Sequence, residues 1–126
     1  MPLYFKTRIT AVGPEVAELA EGGVLILFAD GSPPELAEVS VLHRPEADPA
    51  ETAPTPGAMI HIGTLSAEVT AVGETAWNKV REIGHVVINF NGAGAADRPG
   101  EICASAVDTA ELAGALKMGA VIAIGE

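Results

Sequence analysis

The chain has 126 residues, of which 17 are acidic and 7 basic, for a formal net charge of -10; 48% are hydrophobic and only 4% aromatic. That is the size of a single domain, residues 1–126, with a core built from Val, Ile, Leu and Ala around Phe28 and Phe90. The charge argues against nucleic acid and anionic membrane surfaces as partners and favours a protein with a basic face.

In chain order, the alternation Phe5-Lys6-Thr7-Arg8-Ile9 predicts a strand. Pro14 then opens a short helix running to about Glu21, with Gly22 and Gly23 as its stop. Val24 to Phe28 is a β-branched run of the kind that forms a buried strand. A further strand, Glu38 to His43, leads into Arg44–Pro56, where four prolines among Glu, Asp and Ala predict an extended surface loop. In the second half, Thr75 is placed to cap a helix carrying Trp77, Val80 and Ile83, which Gly84 ends. Val86 to Phe90 predicts another buried strand, and the segment from Asn91 to Pro99-Gly100 a loop.

An internal repeat organises these elements. Ile9-Thr10-Ala11-Val12-Gly13 recurs as Val69-Thr70-Ala71-Val72-Gly73, and Gly57-Ala58-Met59-Ile60-His61-Ile62-Gly63 is echoed by Gly119-Ala120-Val121-Ile122-Ala123-Ile124-Gly125. The offset is 60 from Thr10 to Thr70 and 62 from Gly57 to Gly119, which predicts half-repeats 1–63 and 64–126 of about four strands each. The expected fold is mostly β: a closed or partly open barrel with pseudo-two-fold symmetry and two short helices, with a two-sheet sandwich as the competing closure.

Metal-ligand spacings, phosphate loops and nucleophile elbows do not occur in the sequence, so neither a metal nor a cofactor is expected. The single cysteine, Cys103, lies mid-strand without a neighbouring cation and reads as a buried structural thiol in a reducing compartment. No apolar run approaches the roughly 20 residues of a membrane-spanning helix, and the N-terminal pattern is not that of a signal peptide, so a cytoplasmic protein without membrane insertion is expected.

Three histidines remain. His43 shares a strand face with Val39 and Val41 and ends that run, where a fixed imidazole can turn its outer nitrogen to a docking partner. Its second nitrogen then needs an acceptor, for which Glu38, Glu46 and Asp48 are near in sequence; Arg44 reads first as a solvated loop cation and only second as a counter-charge to a phosphoryl group. His85 follows the helix stop; it is either a strand-start residue bonded to a helix-terminal carbonyl or a group supporting His43. His61 faces away from Ile60 and Ile62 and reads as solvated. The repeat sets His43 against Ser105, His61 against Ala123 and His85 near Gly23, so all three break the symmetry.

Thr70-Ala71-Val72-Gly73, Asn78, Arg81-Glu82-Ile83-Gly84-His85, Phe90, Gly92 and Pro99-Gly100, with the earlier stretch from Ile26 through Phe28, Gly31 and Pro34 to His43, resemble the glucitol/sorbitol-specific IIA component of the bacterial phosphoenolpyruvate-dependent sugar phosphotransferase system. The resemblance implies a phosphotransferase component that receives a phosphoryl group from the phosphocarrier HPr and passes it to a IIB component working with a membrane IIC. It places the phosphorylated histidine at His43 and implies no nucleotide or metal. Arg44-Pro45 depart from the pattern, because family members carry further histidines there. The alternative is a regulatory or protein-binding module that keeps the fold without sugar-transport turnover; third is a barrel that binds a small ligand in an enclosed apolar pocket far from His43.

Overall fold

Alternation along the N-terminal segment becomes strand β1 (Leu3–Val12), whose Phe5, Thr7 and Ile9 are buried while Lys6 and Arg8 face solvent. The computed structural model describes residues 3–31 and 33–125. After β1 come α1 (Val16–Glu21), β2 (Val24–Ala29), α2 (Pro34–Ala37), β3 (Val41–Ala47) and β4 (Met59–Ile62). The second half continues with β5 (Leu65–Val72), α3 (Ala76–Ile83), β6 (Val86–Asn89), β7 (Glu101–Ala104), α4 (Thr109–Ala115) and β8 (Val121–Gly125).

The strands close into a barrel in the order β1-β3-β2-β6-β7-β5-β4-β8. Exchanging the halves maps this ring onto itself. β2 and β3 pair in parallel, as do β6 and β7, while β2 with β6 and β4 with β8 join the halves antiparallel. The pseudo-two-fold barrel is therefore the observed fold, and closure rather than a sandwich removes the free edges. Interior positions are filled by Ile9, Leu25, Leu27, Val41, Ile60, Ile62, Val69, Ile88, Ile102, Ile122 and Ile124, all at most 1% exposed. Burying each such side chain contributes about 1.5–3 kcal/mol.

Among the described residues there are four helices where two were expected. α2 is four residues long and opens on Pro34, too short to show a helical period. α4 is capped by Asp108 and buries Leu112 among Ala and Gly, a thin signal, and the matching part of the first half is the proline-rich segment. Thr75 takes the N-cap position without a side-chain cap bond. Gly84 ends α3 in the left-handed region at φ 65°, with its N–H on the Val80 carbonyl and that of His85 on Lys79, a Schellman-type stop.

The proline-rich stretch also begins later than expected, because β3 carries on through Pro45 to Ala47. Pro45 sits opposite Thr7 beside the register shift between Lys6 and Thr7. A missing N–H is tolerated at such an irregularity.

Candidate functional site

His43 lies in β3 two residues beyond Val41, and both point inward; the imidazole is 0% exposed. Its Nε2 stands 2.7 Å from the carbonyl oxygen of Gly84, and its Nδ1 2.7 Å from the hydroxyl of Thr7. A carbonyl only accepts, so Nε2 carries the proton, and Nδ1 accepts from the Thr7 O–H. The rings of Phe5 and His43 meet in a T-shaped arrangement, with centroids 5.7 Å apart. Burial pushes the His43 pKa below its usual value, and the Gly84 bond opposes this only in part. The imidazole is held neutral, in one tautomer.

This corrects the expectation of an outer nitrogen open to a partner. The face shared with Val41 turns into the barrel, so the nitrogen that was to meet a donor meets the turn after α3 instead. None of the three neighbouring carboxylates orients the ring. Glu46 pairs with Arg8 at 2.7 Å on the outside, and Arg44 pairs with Asp30 at 2.8 Å, also outside.

His85 is brought next to this site, because the residue before it supplies the carbonyl that holds His43. It is half-buried; its Nδ1–H donates to the Leu27 carbonyl at 3.0 Å, and its ring lies against Phe28 with centroids 4.8 Å apart. His61 is exposed on β4, as its alternation predicted. Cys103 is buried at 1% exposure; desolvation, then the charges of Glu101 and Asp97, raise its pKa, and it takes no part in the site. Among the described residues no cluster of His, Cys, Asp or Glu suits a metal ion.

The two halves differ sharply here. Ile9 faces His43 as Val69 faces Ala104, and Val12 faces Val41 as Val72 faces Ile102. The counterpart of His43 is thus Ala104, one position short of the Ser105 expected; Ser105 instead accepts from the Glu68 N–H. Thr7 pairs with Ile122 and Ala67 with Ile60, which makes Ala67 the counterpart of Thr7. Val24 faces Asn89 as Val86 faces Leu27, which makes Gly22 the counterpart of Gly84 and Gly23 that of His85. The barrel therefore builds the same place once from Thr, His and a carbonyl, and once from two buried alanines.

Thr7 and the Gly84 carbonyl went unrecognised in the sequence. A polar residue on an otherwise apolar inward face, set against Ala67 in the other repeat, is the signal that marks Thr7. No sequence signal marks the carbonyl.

Fold and site together define a closed pseudo-two-fold β-barrel with a histidine buried in one half only. The crystal structure of a PTS system IIA component from Enterococcus faecalis V583 superposes with a TM-score of 0.71 at 20% identity, covering 93% of this chain and 96% of that one. Residues 4–125 match the family model of the PTS system glucitol/sorbitol-specific IIA component. Glucitol/sorbitol-specific EIIA components of Shigella flexneri and Escherichia coli (strain K12) are each 32% identical over 102 residues, 81% of this chain and of each relative. The chain belongs to the glucitol/sorbitol-specific IIA family of the sugar phosphotransferase system.

Proposed function

We propose that this chain is a phosphoryl relay subunit that takes a phosphoryl group from HPr onto His43 and hands it to a glucitol/sorbitol-type IIB component on the cytoplasmic side of a IIC permease. The supporting observation is the polar trio itself: a neutral, hydrogen-bonded imidazole buried where the other half of the same barrel has only alanine. Burying these groups costs desolvation that their hydrogen bonds merely offset, and the other half of the barrel fills the same place with two alanines. The donor is itself a phosphoprotein, so the chain has only to set a lone pair in line with the breaking bond.

In the conformation described, the Gly84 carbonyl covers Nε2, so transfer requires the turn at 84–85 to swing off the ring. A helix-end turn opens locally at less cost than a strand paired on both sides.

A second reading rests on His85. Its Nδ1 is anchored on a carbonyl, and its half-buried ring shows no hydrogen bond at Nε2 among the described residues, so it presents a lone pair without any opening.

Incubation with phosphorylated HPr, followed by intact-mass measurement, tests both. One acid-labile phosphoryl group is expected on the native protein and on His85→Gln, and none on His43→Gln. Label that survives His43→Gln but is lost in His85→Gln establishes the second reading. A native protein that takes no label rejects the relay and leaves the regulatory or protein-binding module.

A further inference from the structure

The resting ring of His43 carries its proton on the wrong nitrogen for attack from the side that can open. Nδ1 faces Thr7 in the middle of β1, a strand paired on one side with β3 and on the other with β8. Nε2 faces the Gly84 turn, which leads directly to the half-buried His85. Approach is therefore easier at Nε2, yet Nε2 holds the hydrogen that the Gly84 carbonyl accepts. A nucleophilic Nε2 needs the other tautomer, with the proton on Nδ1. Whatever faces Nδ1 must then accept a hydrogen bond where it formerly donated one. A hydroxyl does both by rotating about its C–O bond; a carbonyl, an ammonium or a methyl group does not.

We infer that Thr7 is a positioning residue for phosphoryl transfer, its hydroxyl donating to Nδ1 of resting His43 and accepting from Nδ1–H when Nε2 carries the phosphoryl group. This rests on the reading of His43 as the acceptor. In the step itself, opening of the Gly84 turn lets Nε2–H lose its proton to water while Nδ1 takes one from water, so the ring stays neutral. The Nε2 lone pair then forms a bond to phosphorus, and the donor's P–N bond breaks with its electron pair returning to the donor imidazole. Throughout, the ring keeps a partner at Nδ1 and is not free to turn. With the Gly84 turn closed the methyl and hydroxyl of Thr7 are 0% exposed, so water reaches the ring only through the opened turn and does not stand in for the hydroxyl once it closes. The counterpart of Thr7, Ala67, lies in the half where Ala104 stands in place of the histidine, so the hydroxyl occurs only where the imidazole does.

Phosphorylation rates with phosphorylated HPr, combined with 15N-histidine NMR, test the inference. The resting protein is expected to show His43 protonated at Nε2 and bare at Nδ1; the phosphorylated protein is expected to carry phosphorus on Nε2 and a proton on Nδ1. Thr7→Ser, which keeps the hydroxyl, should phosphorylate within a few-fold of the native rate. Thr7→Val, which keeps the shape, should be slower by about ten- to a hundredfold, the range set by a lost hydrogen bond to a group gaining charge. A threonine that only supported the fold would lower the melting temperature of Thr7→Val and leave the rate of the folded protein unchanged, and that result overturns the inference. So does phosphorus on Nδ1 of the native protein, a readout that stands even where Thr7→Val fails to fold. Loss of the underlying reading is recognised separately, by label that persists in His43→Gln, and the role of Thr7 falls with it.

Discussion

The ring of His43 and the carbonyl of Gly84 meet at 2.7 Å across 41 residues of sequence, tying the third strand to the turn that ends the helix after Thr75. Because burial lowers the folded-state pKa of this imidazole, the unfolded chain binds the proton more readily than the native one. The stabilisation is therefore complete above the unfolded value of about 6.5 and is lost as pH falls towards the lower folded value. Urea titrations of the native protein and His43→Gln from pH 8 downwards should diverge below about pH 6.5. The His43 contribution cannot exceed one proton, about 1.4 kcal/mol per pH unit. Parallel curves would contradict a buried neutral ring.

Gly84 combines a left-handed backbone at φ 65° with a close neighbour: an added Cβ would stand 2.8 Å from the Cβ of Ala29. Gly84→Ala should lose about 1–3 kcal/mol from backbone strain, with the overlap adding to it. Gly94→Ala meets nothing within 4 Å and should lie within about 0.5 kcal/mol of native. Chemical denaturation of the two variants side by side measures the difference.

Trp77 links the loop to the site. Its indole N–H donates to the Ala50 carbonyl at 2.6 Å, and its ring meets Phe5 edge-on at 6.2 Å, while Phe5 in turn meets His43. Trp77→Phe keeps most of the packing and removes the donor. A loss of about 1–2 kcal/mol is expected, with faster proteolytic cleavage between residues 48 and 58. Unchanged cleavage would show that the loop is held elsewhere.

Asp108 caps the last helix by accepting from the N–H groups of Ala110 at 2.9 Å and Glu111 at 3.0 Å. Asp108→Ala should cost about 1 kcal/mol, read as a lower melting temperature, and Asp108→Asn should recover most of it.

Much of the fold was legible in the residues. Strand alternation, the glycine stops after Glu21 and Ile83, and the repeat of Ile9–Gly13 in Val69–Gly73 pointed to a two-fold barrel. The fourth helix was not legible, since Leu112 alone among Ala and Gly gives no period. His43 stood out in the sequence as a lone histidine at a strand position, but its surroundings did not. Glu46 and Arg44 looked close along the chain, yet alternation sends them to the outer face, where they pair with Arg8 and Asp30.

By itself the sequence determined which residues share a strand face, where α1 and α3 stop and that the chain carries an internal repeat, because periodicity and backbone preference act over a few neighbours. Only the tertiary structure decided that the face bearing His43 turns inward and that Thr7 and Gly84 hold its two nitrogens. Those partners lie 36 and 41 residues away, and nothing short of barrel closure brings them together.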